Sequence, residues 1–127
     1  MWEIGDSREV LGRWSEDHPA TADMIMSCPP YAYLEHYSDD PADLSNMPYP
    51  QFLEAYADII NSAGQLLVPD RFAVWVIGEV REKKGHGACV GLVADTIKAF
   101  QAAGMHLYND HIMLTPIGTA PQRAPKQ

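Results

Sequence analysis

Residues 28–31 read Cys28-Pro29-Pro30-Tyr31, a stiff corner that ends on an aromatic ring. Two consecutive prolines remove two backbone donors and fix two φ angles, so a strand that reaches them must stop. The preceding Met24, Ile25 and Met26 form an apolar run too short for a helix, which predicts a strand buried on both faces, as in a parallel sheet. Tyr31 then stands at a strand's carboxyl end, where open α/β sheets place their ligands. Its ring face suits stacking on a flat base, and the Pro29 carbonyl could accept a hydrogen bond from an exocyclic amino group. An enzyme acting on a base in DNA needs such a pocket, because the target atom is out of reach inside the stack. Taken alone, the tetrapeptide is better read as a structural turn with a half-buried tyrosine.

The thiol of Cys28 is a weak hydrogen-bond acceptor. As a nucleophile it would need an activating partner that the sequence does not identify, so a buried thiol is the preferred reading. Tyr33 and Glu79 are further candidates for contacting a substrate, Glu79 because it follows the apolar run 72–78, although it reads equally as a surface carboxylate. His36 with Asp39, Asp40 and Asp43 meets no metal-site spacing and reads as a solvated loop. His86 and Cys89 read as incidental, and no metal is expected.

The elements that must hold this corner follow from periodicity. Residues 2–4 are expected as a short strand, followed by a helix that Ser7 caps, with Val10, Leu11 and Trp14 on one face. Residues 15–21 read as a loop returning to the strand at Ala22. The stretch 32–48 is rich in turn formers and carboxylates. It exceeds the ~12–15 residues of ordinary connections, which makes it a candidate lid. Phe52, Tyr56, Ile59, Ile60, Ala63 and Leu67 recur at helical spacing from Tyr49 onward. The chain should then bend near Pro69 and Asp70, ahead of a central strand at 72–78 covered on both faces. Leu92, Val93, Thr96, Ile97 and Phe100 predict a second amphipathic helix closed by Gly104 in a left-handed cap. Residues 105–115 are expected to be extended and 120–127 to be a frayed tail. The order gives an α/β fold with a mostly parallel sheet and flanking helices, one domain over 1–119.

Composition narrows the function classes. The 127 residues are 46% hydrophobic and 20% charged, the profile of a single globular domain. No apolar run approaches the ~20 residues of a membrane span, and two cysteines make no disulfide framework, so a cytoplasmic protein with free thiols is expected. A formal net charge of −8 argues against strong duplex binding by this chain alone. Its cations are scattered, apart from Arg81, Lys83 and Lys84 and a tail with Arg123 and Lys126.

Cys28-Pro29-Pro30-Tyr31 resembles the catalytic motif of the DNA amino-methyltransferases: Asp, Asn or Ser, then Pro-Pro, then Tyr, Phe or Trp. The stretches 2–7 with Val10 and Leu11, 37–47 and 72–81 resemble phage-type DNA methylase domains, in order over residues 2–123. The resemblance implies a partial Rossmann-like fold and methyl transfer from S-adenosylmethionine to the amino group of cytosine or adenine. It implies catalytic roles for Cys28, Pro29, Pro30 and Tyr31, and cofactor contacts from Asp6 and Ser7. The sequence departs from the family at two points. Cys28 replaces the usual polar acceptor, and the glycine-rich cofactor turn is missing, Gly85-His86-Gly87 having no strand directly before it. A weak or inactive isolated chain is therefore expected, together with a homo-oligomer or companion chain that completes the sheet. The alternative is a non-catalytic module that binds a protein partner, its acidic surface suited to a basic one.

Overall fold

The computed structural model of the chain describes residues 3–82 and 85–114; the expected tail at 120–127, Trp2, Lys83 and Lys84 lie outside them. Helix α1 (Ser7–Asp17) is capped by Asp6, whose carboxylate accepts from the Arg8 amide at 2.8 Å. The cap is thus one residue earlier than expected at Ser7. The helix also runs into the stretch read as a loop. Its last turn, with Glu16 and Asp17, faces solvent and so carries no apolar period, until Pro19 stops it. The expected strand before it is not formed by Glu3 and Ile4. Glu3 instead accepts from the Arg13 guanidinium and from Trp14 Nε1.

Strands β1 (Ala22–Ser27) and β2 (Leu67–Trp75) pair in parallel, joined by helix α2 (Tyr49–Leu66) as the crossover. Between the strands the register runs Met24↔Phe72, Ile25↔Ala73, Met26↔Val74 and Ser27↔Trp75. Helix α2 passes into β2 without a connecting loop, because the bend expected near Pro69 and Asp70 is a bulge inside the strand. There the register shifts between Ala22 and Met24, and Asp70 takes a positive φ of 62°. The strand accordingly starts at Leu67, ahead of the expected Phe72.

Neither strand is covered on both faces, which corrects the sequence expectation. Ile25, Ala73 and Trp75 share the face toward the helices. On the other face Met24, Met26, Phe72 and Val74 remain 57%, 69%, 55% and 39% exposed. An unbroken apolar run states only that both faces are apolar, not that both are covered.

The core sits in the helical layer. Helix α2 buries Phe52, Ala55, Tyr56, Ile59, Ile60, Ala63 and Leu66, the predicted stripe except that Leu66 closes it, Leu67 being the first residue of β2. Its rings continue into β2 and the next helix as a file: Tyr49 on Phe52 at 5.9 Å, Phe52 on Tyr56 at 5.0 Å, Tyr56 against Trp75 at 6.4 Å, Trp75 against Phe100 at 5.2 Å. Such pairs contribute ~0.5–1.5 kcal/mol each beyond burial. The buried phenol of Tyr56 accepts from Trp75 Nε1 at 2.7 Å and pairs with the Thr96 hydroxyl at 3.2 Å, so this polar group is satisfied.

Helix α3 (Leu92–Ala102) packs on α2 and ends through Gly104, which adopts the expected left-handed φ of 82°. Met105 then folds over Gly64, where a Cβ would lie 2.7 Å from the thioether methyl carbon. The glycine that weakens the last turn of α2 is what admits this side chain. Residues 105–114 form no strand, although Tyr108 reaches the uncovered sheet face and meets Phe72 at 5.2 Å.

Candidate functional site

The corner lies at the carboxyl end of β1. Pairing continues one step past the strands, from the Val76 amide to the Ser27 carbonyl at 2.9 Å, and then Pro29 and Pro30 offer no amide to extend it. The chain next makes a reversal that local sterics oppose: Ala32 has φ 49°, a left-handed conformation costing a non-glycine residue ~1–2 kcal/mol. Burial offsets this, since Ala32 is fully inside the cluster of Phe52, Tyr56, Ile60, Val80 and Leu92. A 3-10 turn, Ala32–Leu34, follows and closes with the Leu34 amide on the Tyr31 carbonyl at 3.1 Å.

Tyr31 is fixed from three sides. Its hydroxyl donates to the Val76 carbonyl at 3.4 Å and lies 3.7 Å from Cys28 Sγ, and its ring edge rests against Gly78. Burial, and then the neighbouring Cys28 thiol, push the phenol up to about 12, so it stays protonated and acts as a donor at neutral pH.

Beside the corner is a hollow of about 240 Å³ lined by Cys28, Pro29, Tyr31, Leu34, Glu35 and Tyr37. Pockets for drug-sized ligands run ~300–1,000 Å³, so this one matches a single flat ring. The structure therefore brings Cys28, Pro29 and Tyr31 together around one cavity. Cys28 is exposed, which corrects the buried-thiol reading. Leu34, Glu35 and Tyr37 were not singled out by sequence reasoning. The signal for them was the tight turn that Pro-Pro-Tyr imposes, which brings the next few side chains back over the corner.

The other candidates are engaged elsewhere. The Tyr33 hydroxyl donates to the Arg81 carbonyl at 3.4 Å. Glu79 is tied to the start of α3: one carboxylate oxygen accepts from the Val80, Gly91 and Leu92 amides at 2.9–3.0 Å. Desolvation pushes this carboxyl up, but the amides of Val80, Gly91, Leu92 and Val93 outweigh it and hold the group below its usual range. It does the work of a helix N-cap from outside the helix. Asp6 caps α1 and meets the Arg8 guanidinium at 3.4 Å, while Ser7 is the first residue of that helix. None of these four lines the hollow.

The segment expected as a lid is knotted on itself. Asn46 donates to the Ser38 and Asp40 carbonyls, Asp43 accepts from the Ser45 amide and from the Ser38 and Ser45 hydroxyls, and a second 3-10 turn, Leu44–Asn46, closes it. His36 joins Asn46 Oδ1 at 2.8 Å and Asp39 Oδ1 at 3.1 Å. Both contacts suit an imidazolium donating from each nitrogen, and they raise its pKa, Asn46 first and Asp39 second. A raised folded value means that this stabilisation is complete below the ordinary histidine value of ~6.5 and is lost as pH rises through the folded one. An NMR titration of His36 is expected to give a midpoint above that ordinary value, falling back in Asn46→Ala. A midpoint at or below it would rule out the clamp.

No protein-family model matches the chain and no curated protein matches it. Solved structures do. Three are of TTHA0409 from Thermus thermophilus, a candidate DNA modification methylase. A selenomethionine form matches at 25% identity and TM-score 0.58, covering 79% of this chain and 36% of that one. A second form matches at 24% and 0.59, covering 80% and 39%. The complex with S-adenosyl-L-methionine matches at 22% and 0.62, covering 89% and 47%. The chain has a DNA methylase-like fold. It is α/β, with a parallel strand pair and flanking helices, a partial Rossmann-like arrangement. It spans 36–47% of the length of those chains.

The carboxylate expected at the cofactor, Asp6, has both oxygens engaged by Arg8. Gly85 and Gly87 lie in the long connection from β2 to α3, inside an antiparallel excursion bridged at Arg81 and Cys89.

Proposed function

We propose that this chain is the base-binding part of a DNA amino-methyltransferase of phage type, the methyl group of S-adenosylmethionine going to the amino nitrogen of a flipped cytosine or adenine. The reading is carried by the hollow at the end of β1, lined by Tyr31 and by Pro29 of the diproline corner, Pro30 lying outside the lining. In it Tyr31 offers stacking and the corner fixes the orientation of the base. The cofactor side is assigned to polypeptide outside this sequence, such as a companion chain, whereas a second copy would complete only the sheet. Residues 1–119 are taken as one domain, and its two free cysteines favour the cytoplasm. No helix among the described residues is long and apolar enough to cross a membrane.

One observation favours an interaction role beside it. The uncovered face of Met24, Met26, Phe72 and Val74 borders strands with no further partner among the described residues, an arrangement that invites added strands and a covering helix.

Two measurements on the chain test the division of labour. Calorimetric titration with S-adenosylmethionine is expected to give no measurable binding, and tight binding would overturn the assignment of the cofactor side elsewhere. A single-stranded oligocytidylate should bind weakly, and Tyr31→Ala should lose roughly ten-fold or more, the usual worth of one base stacked on an aromatic ring. Unchanged affinity in that variant would remove the base pocket.

A further inference from the structure

At its first residue the hollow carries no strong side-chain acceptor, and the Pro29 carbonyl is a backbone one. Cys28 puts a thiol there, and Tyr31 is a protonated donor whose hydroxyl is already directed at the Val76 carbonyl. Among the six lining residues one side chain is an acceptor only: Glu35, at the end of the 3-10 turn that the corner generates. It shares the wall with Leu34 and Tyr37, so a ring stacked on Tyr31 meets an apolar side, an aromatic side and one carboxylate.

We propose that Glu35 reads the amino group of the base in this hollow, taking over the recognition that position 28 has given up. The inference rests on the base-pocket reading above and names the ligand class within it. A carboxylate accepts from the N–H of cytosine N4 or adenine N6. It gives nothing to a base whose corresponding position carries no hydrogen, and there it leaves the carboxylate without a donor. Tyr37 stands beside it on the same wall of the hollow. Glu35 also keeps the site apart from phosphate recognition, since its charge repels the backbone and favours only the base edge. This separates base choice from grip on DNA, in keeping with a net charge of −8.

The test is an NMR titration of the whole chain with 2′-deoxycytidine and with N4,N4-dimethyl-2′-deoxycytidine, which keeps the ring acceptors but has no amino hydrogen. Both are repeated on Glu35→Ala, so that the steric effect of the methyl groups cancels in the cycle. The expected result is that Glu35→Ala weakens deoxycytidine roughly five- to hundred-fold and leaves the dimethyl analogue unchanged, with an otherwise preserved amide spectrum. Equal weakening of both ligands, or of neither, overturns the role of Glu35 while the base pocket stands. If neither nucleoside perturbs the Tyr31 and Tyr37 signals, the base pocket falls and this inference falls with it.

Discussion

Phe52→Ala is expected to lower the unfolding free energy by about 3–5 kcal/mol, enough to unfold much of a domain whose total stability is on the order of 5–15 kcal/mol. Phe52 is fully buried, stacks on Tyr49 and Tyr56, and touches the cluster that seats Ala32. Its removal deletes a ring at the middle of the aromatic file, where neighbours on both sides are held by their own contacts and cannot collapse into the gap. Urea denaturation followed by tryptophan fluorescence measures it, because Trp75 lies in the same file. A loss below about 1 kcal/mol would show that the core lies elsewhere.

The second large effect is expected at Ala32. Valine there adds two methyl groups to a site with no exposed surface and places a β-branched residue at φ 49°. Overpacking costs ~1–3 kcal/mol, and the left-handed conformation is least tolerated by branched side chains, so Ala32→Val should lose about 2–4 kcal/mol and displace the Tyr31 ring. Ala32→Gly isolates the cause. It relieves the backbone but removes one buried methyl worth ~0.8 kcal/mol, and its stability should stay within about 1 kcal/mol of the parent. If valine were tolerated as well as glycine, the reversal after Tyr31 would not be the constraint described.

Part of this architecture was legible in the sequence. Helix α2 was, with its buried stripe, because eighteen residues give a helical period enough repeats to stand out. The end of β1 was, because two prolines admit one outcome. The coverage of the sheet was not: Met24, Met26, Phe72 and Val74 are apolar whether or not anything lies on them, and what covers a face is decided by chain elsewhere. The cap formed by Glu79 was not legible for a related reason. Its position after an apolar run suggests a cleft residue, yet its partners are the amides of Gly91 and Leu92, a long-range contact that no local period encodes. Glu35 escaped notice because a 3-10 turn of three residues leaves no repeat to detect.

The aromatic file has a further consequence for how a complete enzyme would come together. Ala32, and through it the diproline corner, is seated on side chains of α2 together with Val80 and Leu92, and Tyr31 is tied to the end of β2 at Val76. The cavity is thus preformed before any strand is added beside β1, and sheet completion is not needed to shape it. On the reading proposed above, nucleobase capture would not have to wait for the joining of a cofactor-bearing half.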